Sequence, residues 1–295
     1  MKVLILGSTG FVGRNLVEVL STDFTIIRTS RQKSGDESVY FDLYDVTSWR
    51  GVVDLNPDVI INAVAYGVIK HEVDLQKMYD TNYFLIADFY TFMHANNCSP
   101  FWMQLGTAFE YDLLRAGGIS EQSKCLPRTH YGISKLMFSQ FLIGQEHSER
   151  FAVLRPFGMF GKYEDESKFF PMLIKSQQNK TPIKLSAGTQ QRDYFFAGDL
   201  GIFIRQLILQ KRLGDLPKVL NLGSGTALSF RAYADVLSKF IRNFDPLLWQ
   251  WDQIGFRPNE SGQFYNKSLS ARNLGFETRS LEDAFVATAE YYFST

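Results

Sequence analysis

A doubly wound parallel α/β sheet with a smaller C-terminal lobe is the fold class predicted for this 295-residue chain, and two observations predict it. First, the apolar run Val3-Leu4-Ile5-Leu6 leads directly into Gly7-Ser8-Thr9-Gly10-Phe11-Val12-Gly13 and then into a helical pattern through Leu16, Val17 and Leu20. This reads as strand, glycine-rich turn, helix. Second, strand-like runs at 2–6, 24–28, 38–42, 58–62, 101–105, 151–155 and 219–222 alternate with helical patterns, notably 78–94 and 131–145. Strands separated by helices imply crossover connections and a parallel sheet, with ligands bound beyond the carboxyl ends of the strands.

The elements follow in order. Glycines after the first strand allow a tight turn and let the backbone approach a pyrophosphate, which then lies at the helix N-terminus. A ligand-free strand-to-helix turn would read the same way locally. The second strand ends in Arg28-Thr29-Ser30-Arg31. A carboxylate about 20 residues after the glycines would bind the 2′-hydroxyl of NAD. Two arginines and a serine instead suit a 2′-phosphate, so NADPH (NADP) is expected over NAD, unless both arginines are solvated surface charges. The regular alternation is lost after Gly161, and the acidic run Glu164-Asp165-Glu166 reads as a solvated loop.

Composition narrows the function classes. There are 31 basic and 31 acidic residues, which offers no electrostatic case for nucleic acid or an anionic membrane. Cys98 and Cys125 have no metal-like spacing, and the four histidines show none either, so no metal site is expected. No charged-then-apolar leader opens the chain, and no apolar stretch reaches the ~20 residues of a membrane span. A cytoplasmic location is the expectation. Trp249-Gln250-Trp251 reads as a strand with one buried face or as part of an interface, and His130 as a helix-start or surface residue.

Tyr131 and Lys135 are four residues apart in His130-Tyr131-Gly132-Ile133-Ser134-Lys135, about one helical turn. Both side chains then share a helix face, and an ammonium beside a phenol favours the phenolate. That arrangement makes a proton donor and acceptor usable near neutral pH. A core aromatic beside a snorkelling lysine is the plainer reading of the pair taken alone.

Together, Gly-x-x-Gly-x-x-Gly and Tyr-x-x-x-Lys resemble the extended short-chain dehydrogenase/reductase family, in its nucleotide-sugar epimerase and 4-ketoreductase branch. The resemblance extends through Asn62-Ala63-Val64-Ala65, Asn82, Thr107, Arg155-Pro156-Phe157-Gly158-Met159-Phe160-Gly161, Gln191-Arg192-Asp193-Tyr194 and Asn221-Leu222-Gly223-Ser224-Gly225, and so over nearly the whole chain. It implies a Rossmann domain of residues 1–160 plus 190–225 and a substrate lobe of 161–189 plus 226–295. It also implies a homodimer. Tyr131 would be the proton donor, Lys135 the partner that lowers its pKa and holds the nicotinamide ribose, and Thr107 the group that positions the reacting oxygen. Cofactor contacts implied are Gly7, Thr9, Gly10, Phe11, Val12, Gly13, Arg28, Ser30, Arg31, Asp42, Leu43, Ala63, Val64, Ala65, Asn82, Tyr131, Lys135 and Pro156. Thr107, Ala108, Arg192 and Arg257 would touch the substrate, the two arginines by clamping a diphosphate. Gly158 replaces the asparagine that many relatives place against the nucleotide sugar.

The resemblance further bears on the reaction. Its sugar dehydratases carry Asp-Glu after the catalytic threonine, whereas Ala108-Phe109 follow Thr107 here, and Glu110 is expected to face elsewhere. Reduction of a nucleotide-linked 4-keto-6-deoxyhexose is the expected activity, since exchangeable NADPH suits a reductase. A nucleotide-sugar 4-epimerase is the alternative enzyme, and a non-catalytic dinucleotide-binding sensor or scaffold the alternative of another class.

Overall fold

Seven parallel strands form the main sheet, in the order Val219–Leu222, Phe151–Pro156, Phe101–Leu105, Val59–Asn62, Lys2–Leu6, Thr25–Ser30, Ser38–Tyr40. The structure, a computed structural model, describes residues 1–32, 38–113, 117–145, 150–255 and 263–294. The strands predicted from alternation are therefore present, with their ends shifted by one or two residues. Register brings one edge into line: Leu6 pairs with Asn62, Asn62 with Gln104, Leu105 with Leu154, and Pro156 with Leu222. The glycine turn, Ala63 and Thr107 thus all leave the sheet from its carboxyl edge.

The central strands are apolar throughout because both faces are covered. Val3, Ile5, Ile61 and Met103 point to one side and pack with Leu16 and Leu20 of the helix Phe11–Leu20 and Leu200 and Ile204 of the helix Ala197–Leu209. Leu4, Leu6, Ile60 and Trp102 point to the other, against Ile86, Phe89 and Met93 of Leu85–Ala95 and Phe138 and Leu142 of His130–Ile143. A third cluster, including Phe160, Phe170, Leu173, Tyr233, Leu237, Trp249 and Phe285, forms the core of a second lobe. Short strands dress that lobe: Leu228–Ser229, Gln191–Arg192, Gln263–Asn266 and Gly117–Ile119 form one sheet in that order. Ala271 and Phe276 return to the core of the main sheet.

Two local readings change. The helix expected at 78–94 begins earlier, at Leu75, and is interrupted by a π-helical turn, Asp80–Phe84, before continuing as Leu85–Ala95. Asn82 lies in that turn, and the bulge aims its side chain at Tyr66 and Ser134. The acidic run is a loop of which only Glu164 leaves solvent: it is buried, with the Tyr292 hydroxyl donating to its backbone carbonyl, while Asp165 is half-buried and Glu166 exposed. Burial pushes the Glu164 carboxyl up to about 8, against the pull of Lys168. Trp249–Gln250 is a strand with Trp249 buried, as its alternation suggests. No helix among the described residues is long and apolar enough to cross a membrane.

Candidate active site

The glycine turn is shaped for close approach. Gly7 has φ +76°, and its carbonyl accepts the Gly10 N–H at 3.0 Å. A Cβ on Gly13 would lie 2.1 Å from the Gly7 oxygen, so the helix can press onto the turn only with glycine there. Gly10 caps the helix without a side-chain hydrogen bond, leaving the first N–H groups facing outward beside the exposed Thr9. Phe11 and Val12 follow, half-buried. This cradle fits a pyrophosphate, whose negative charge the helix terminus favours.

Further along the edge, Asn62 donates to Gln104 Oε1 at 2.8 Å and accepts the Val64 N–H at 3.1 Å, which fixes the path of Ala63, Val64 and Ala65. Asn82 accepts the Tyr66 N–H at 2.9 Å and donates to the Tyr66 carbonyl at 2.8 Å and to Ser134 Oγ at 2.9 Å. All its amide groups are so engaged, and it ties the loop after the fourth strand to the helix that carries Tyr131. Leu43 and Pro156 are buried, Asp42 is half-buried, and its Oδ1 accepts the Tyr44 N–H.

Thr107 follows the fifth strand and caps the short helix Ala108–Glu110, accepting the Phe109 N–H at 3.2 Å. Its own proton is left to donate, and its hydroxyl eases ionisation of the Tyr131 phenol. Tyr131 and Lys135 lie in the helix His130–Ile143, capped by Thr129, whose Oγ1 accepts the Gly132 N–H at 3.1 Å. Gly132 decides how near this helix comes: a Cβ there would lie 2.3 Å from the Phe109 carbonyl oxygen. Sequence reasoning passed over that glycine, although it stands next to Tyr131. His130 is the first residue of the helix, with Nδ1 3.0 Å from the Tyr79 hydroxyl.

Glu110 faces the interior, where its carboxylate accepts the Thr107 N–H at 3.0 Å. It is fully buried and paired with Arg155 at 2.8 Å, and Arg155 also donates to the Tyr111 hydroxyl at 2.8 Å. Burial works against the Arg155 charge, but Glu110, Tyr111 and Cys125 together outweigh it and hold the guanidinium protonated. The electrostatics at Tyr131 depart from expectation. Burial, reinforced by Glu110 and Glu72, raises the phenol above its ordinary value, and the Thr107 hydrogen bond opposes this. Burial lowers the Lys135 ammonium to about 8, with Glu110 opposing. Burial, rather than the Tyr–Lys spacing, therefore sets the direction at the phenol.

A cavity of about 520 Å³ opens beside this group. Phe109, whose ring lies 6.2 Å from that of Tyr131, forms its near wall, with Thr129. Its cationic lining is Arg128, Lys168 and Arg192, and no carboxylate lines it among the described residues. Aromatic rings of Phe169, Tyr194, Phe230, Trp251 and Phe264 complete the wall. Arg192 lines the cavity with its guanidinium 4.5 Å from the Phe264 ring centroid. Ala108 is buried in a small cluster with Tyr111 and Phe157. Arg257 lies outside the described residues. The Tyr194 ring occupies the space a side chain at position 158 would need, 2.4 Å from a Cβ built there. Arg128 and Lys168 were missed in the sequence. Only the position of Arg128, three residues before Tyr131, offered a signal.

At the second strand, Thr29 turns inward and bonds Ser8 and Ile5, while Arg28 is engaged by an interaction of its own and Arg31 is exposed. Ser30 Oγ accepts the Gln32 N–H at 3.0 Å and keeps its proton to donate.

Residues 3–223 match the NAD dependent epimerase/dehydratase family. Over its whole length the chain is similar to the low-salt glycan biosynthesis protein Agl12 of Haloferax volcanii, 23% identical over 323 residues, covering 99% of this chain and 98% of that protein. Among solved structures, UDP-glucose 4-epimerase of Thermus thermophilus in complex with NAD superposes with a TM-score of 0.86 at 17% identity, covering 100% of both chains. dTDP-glucose 4,6-dehydratase of Bacillus anthracis with NAD gives 0.83 at 17% identity, covering 100% of this chain and 97% of that one. The expected preference for NADPH is overturned: four of the similar structures hold NAD and one holds NADPH. The arginines failed as a signal because charge near a strand end does not make a phosphate clamp. Ser30 presents a neutral hydroxyl suited to a ribose hydroxyl.

Proposed function

The chain belongs to the NAD dependent epimerase/dehydratase family, and on that premise we propose that it is an NAD-using nucleotide-sugar 4-epimerase, oxidising and re-reducing one carbon of the same hexose. The observation that carries this reading is the Thr107–Tyr131–Lys135 group beside a cavity whose charged lining is wholly cationic among the described residues. NAD, when bound, supplies a hydride acceptor that can return the hydride to the same carbon. The Gly7–Gly13 cradle would hold its pyrophosphate and Ser30 its ribose.

Tyr131 moves the proton. Its phenolate, favoured by the Thr107 hydroxyl, takes the substrate hydroxyl proton as the carbon is oxidised, and the phenol so formed gives it back on reduction. Thr107 would donate to the reacting oxygen beside the phenol and so hold it in place. Lys135 places a cation within one helical turn. Arg192 would grip the diphosphate and the lobe of residues 161–189 and 226–295 the rest of the nucleotide sugar.

Two neighbouring reactions fit less well. Water elimination needs an acid and a base beside the threonine, but Ala108 and Phe109 follow it and Glu110 is locked onto Arg155. Net reduction of a 4-keto-6-deoxyhexose rested on an exchangeable NADPH, and it weakens with that cofactor. A scaffold role is set aside, since the chain belongs to an enzyme family.

The test incubates purified protein with UDP-, dTDP-, GDP- and CDP-linked hexoses and catalytic NAD. Interconversion of 4-epimers with no net change in nicotinamide absorbance is expected. Stoichiometric loss of reduced cofactor with 4-keto sugars, and no interconversion, would overturn the epimerase reading.

A further inference from the structure

Arg128 belongs to none of the roles above, yet it lines the cavity at its catalytic end. It immediately precedes Thr129, the cap of the Tyr131 helix. Its Nε and Nη2 donate to the two oxygens of Asp112, each at 3.2 Å. The two partners differ in exposure: the Asp112 side chain is 8% exposed and that of Arg128 43%. A buried carboxylate therefore grips one edge of the guanidinium and fixes its plane. A guanidinium has five N–H donors in a rigid fork, so an edge held by two bonds leaves three donors turned away from Asp112.

Arg192 enters the cavity from the short strand Gln191–Arg192, over Phe264. The rings of Tyr131, Phe109 and Phe264 follow one another at centroid separations of 6.2 and 6.4 Å, so Arg192 lies beyond two ring contacts from the phenol. Arg128, by contrast, is part of the chain that delivers Tyr131. The two arginines thus reach the same cavity from different parts of the chain, Arg128 from the residues that lead into the Tyr131 helix and Arg192 from the strand Gln191–Arg192. Their electrostatic character differs as well. The charge of Arg128 is balanced by Asp112, so it acts as a directional donor more than as an attractor of anions.

We propose that Arg128, held by Asp112, is a specificity-determining residue that donates to uncharged oxygens of the sugar ring, with Asp112 as its positioning residue. This rests on the nucleotide-sugar reading of the site. A hydrogen bond from a charged donor contributes about 1.5–3 kcal/mol, which corresponds to roughly a ten- to hundredfold change in affinity. The contribution falls on the sugar and not on the diphosphate.

The experiment measures dissociation constants by calorimetry for UDP, dTDP, GDP and CDP and for their glucose conjugates, on NAD-loaded protein. The nucleotide that binds wild type best is then used for each variant. Arg128→Ala should weaken the glucose conjugate at least tenfold and leave the free diphosphate and NAD within twofold. Arg192→Ala should weaken both nucleotide ligands. Arg128→Gln keeps a donor for Asp112, guards against misfolding, and should show the same sugar-selective loss. Asp112→Asn should show a smaller loss of the same selectivity, which a merely structural role would not produce. Equal loss for the free diphosphate and its conjugate would make Arg128 a phosphate ligand and overturn the inference, as would no loss for either. If wild type binds none of these nucleotides, the nucleotide-sugar reading fails and this inference fails with it.

Discussion

The Glu110 carboxylate accepts from Arg155 Nε at 2.8 Å with one oxygen and from the Thr107 N–H at 3.0 Å with the other. One buried acid therefore joins the strand Phe151–Pro156 to the residue that meets the Tyr131 phenol. The pair is fully desolvated, so its value lies in being complete. Removing one partner leaves an uncompensated charge in the interior.

Glu110→Ala is expected to destabilise the protein by about 3–5 kcal/mol, because it strands the Arg155 guanidinium. Glu110→Gln should cost less, since its amide oxygen can still accept the Thr107 N–H. Urea denaturation of both variants checks this. A loss below about 1 kcal/mol for the alanine variant would mean that solvent or Tyr111 compensates Arg155.

Tyr131→Phe should lower turnover by about 10²–10⁴-fold, the usual worth of a positioned proton donor. The ring contact with Phe109 survives the change, so folding and NAD affinity should not move. Steady-state kinetics with NAD titration separates the two effects. Near-normal turnover would remove Tyr131 from the chemistry.

Gly13→Ala should weaken NAD binding by roughly tenfold or more, because its Cβ cannot be placed 2.1 Å from the Gly7 carbonyl without moving the turn. Gly51→Ala is the control. It lies within the helix Trp49–Leu55, with nothing within 4 Å of the new Cβ, and should stabilise by up to about 1 kcal/mol. Fluorescence titration with NAD compares the two. Equal affinities would show that the turn is not the pyrophosphate cradle.

Glu164 makes stability depend on pH. Its carboxyl is raised from 4.5 to about 8, so between those values the folded protein binds more protons than the unfolded chain. Stability is then full below about 4.5 and falls as pH rises toward 8. Glu164→Gln carries no such slope and should be more stable than wild type at pH 8, by about 1–3 kcal/mol, with little advantage at pH 5. Lys135, lowered from 10.5 to about 8, acts in the adjoining window and with opposite sign: stability rises as pH climbs from about 8 to 10.5. Melting curves at pH 5 and pH 8 decide the matter. A gain of equal size at both would assign the effect to packing.

What the sequence determined by itself was local. Val3 to Leu6 form a strand, Gly7 to Gly13 a turn, and Tyr131 and Lys135 share a helix, because period, glycine placement and a spacing of one turn act within a few residues. The succession of parallel strands followed from alternation for the same reason. The tertiary structure decided what depends on pairs far apart in the chain. Glu110 and Arg155 are 45 residues apart and Asn82 and Ser134 are 52, so no periodicity could announce either contact. Glu164 looked solvated because its neighbours are acidic, but the packing of Tyr292, 128 residues away, buries it. The cavity is likewise a product of the fold. Arg128, Lys168 and Trp251 line it from separate elements, and a side chain's pKa and its access to ligand depend on burial that only the assembled lobes create.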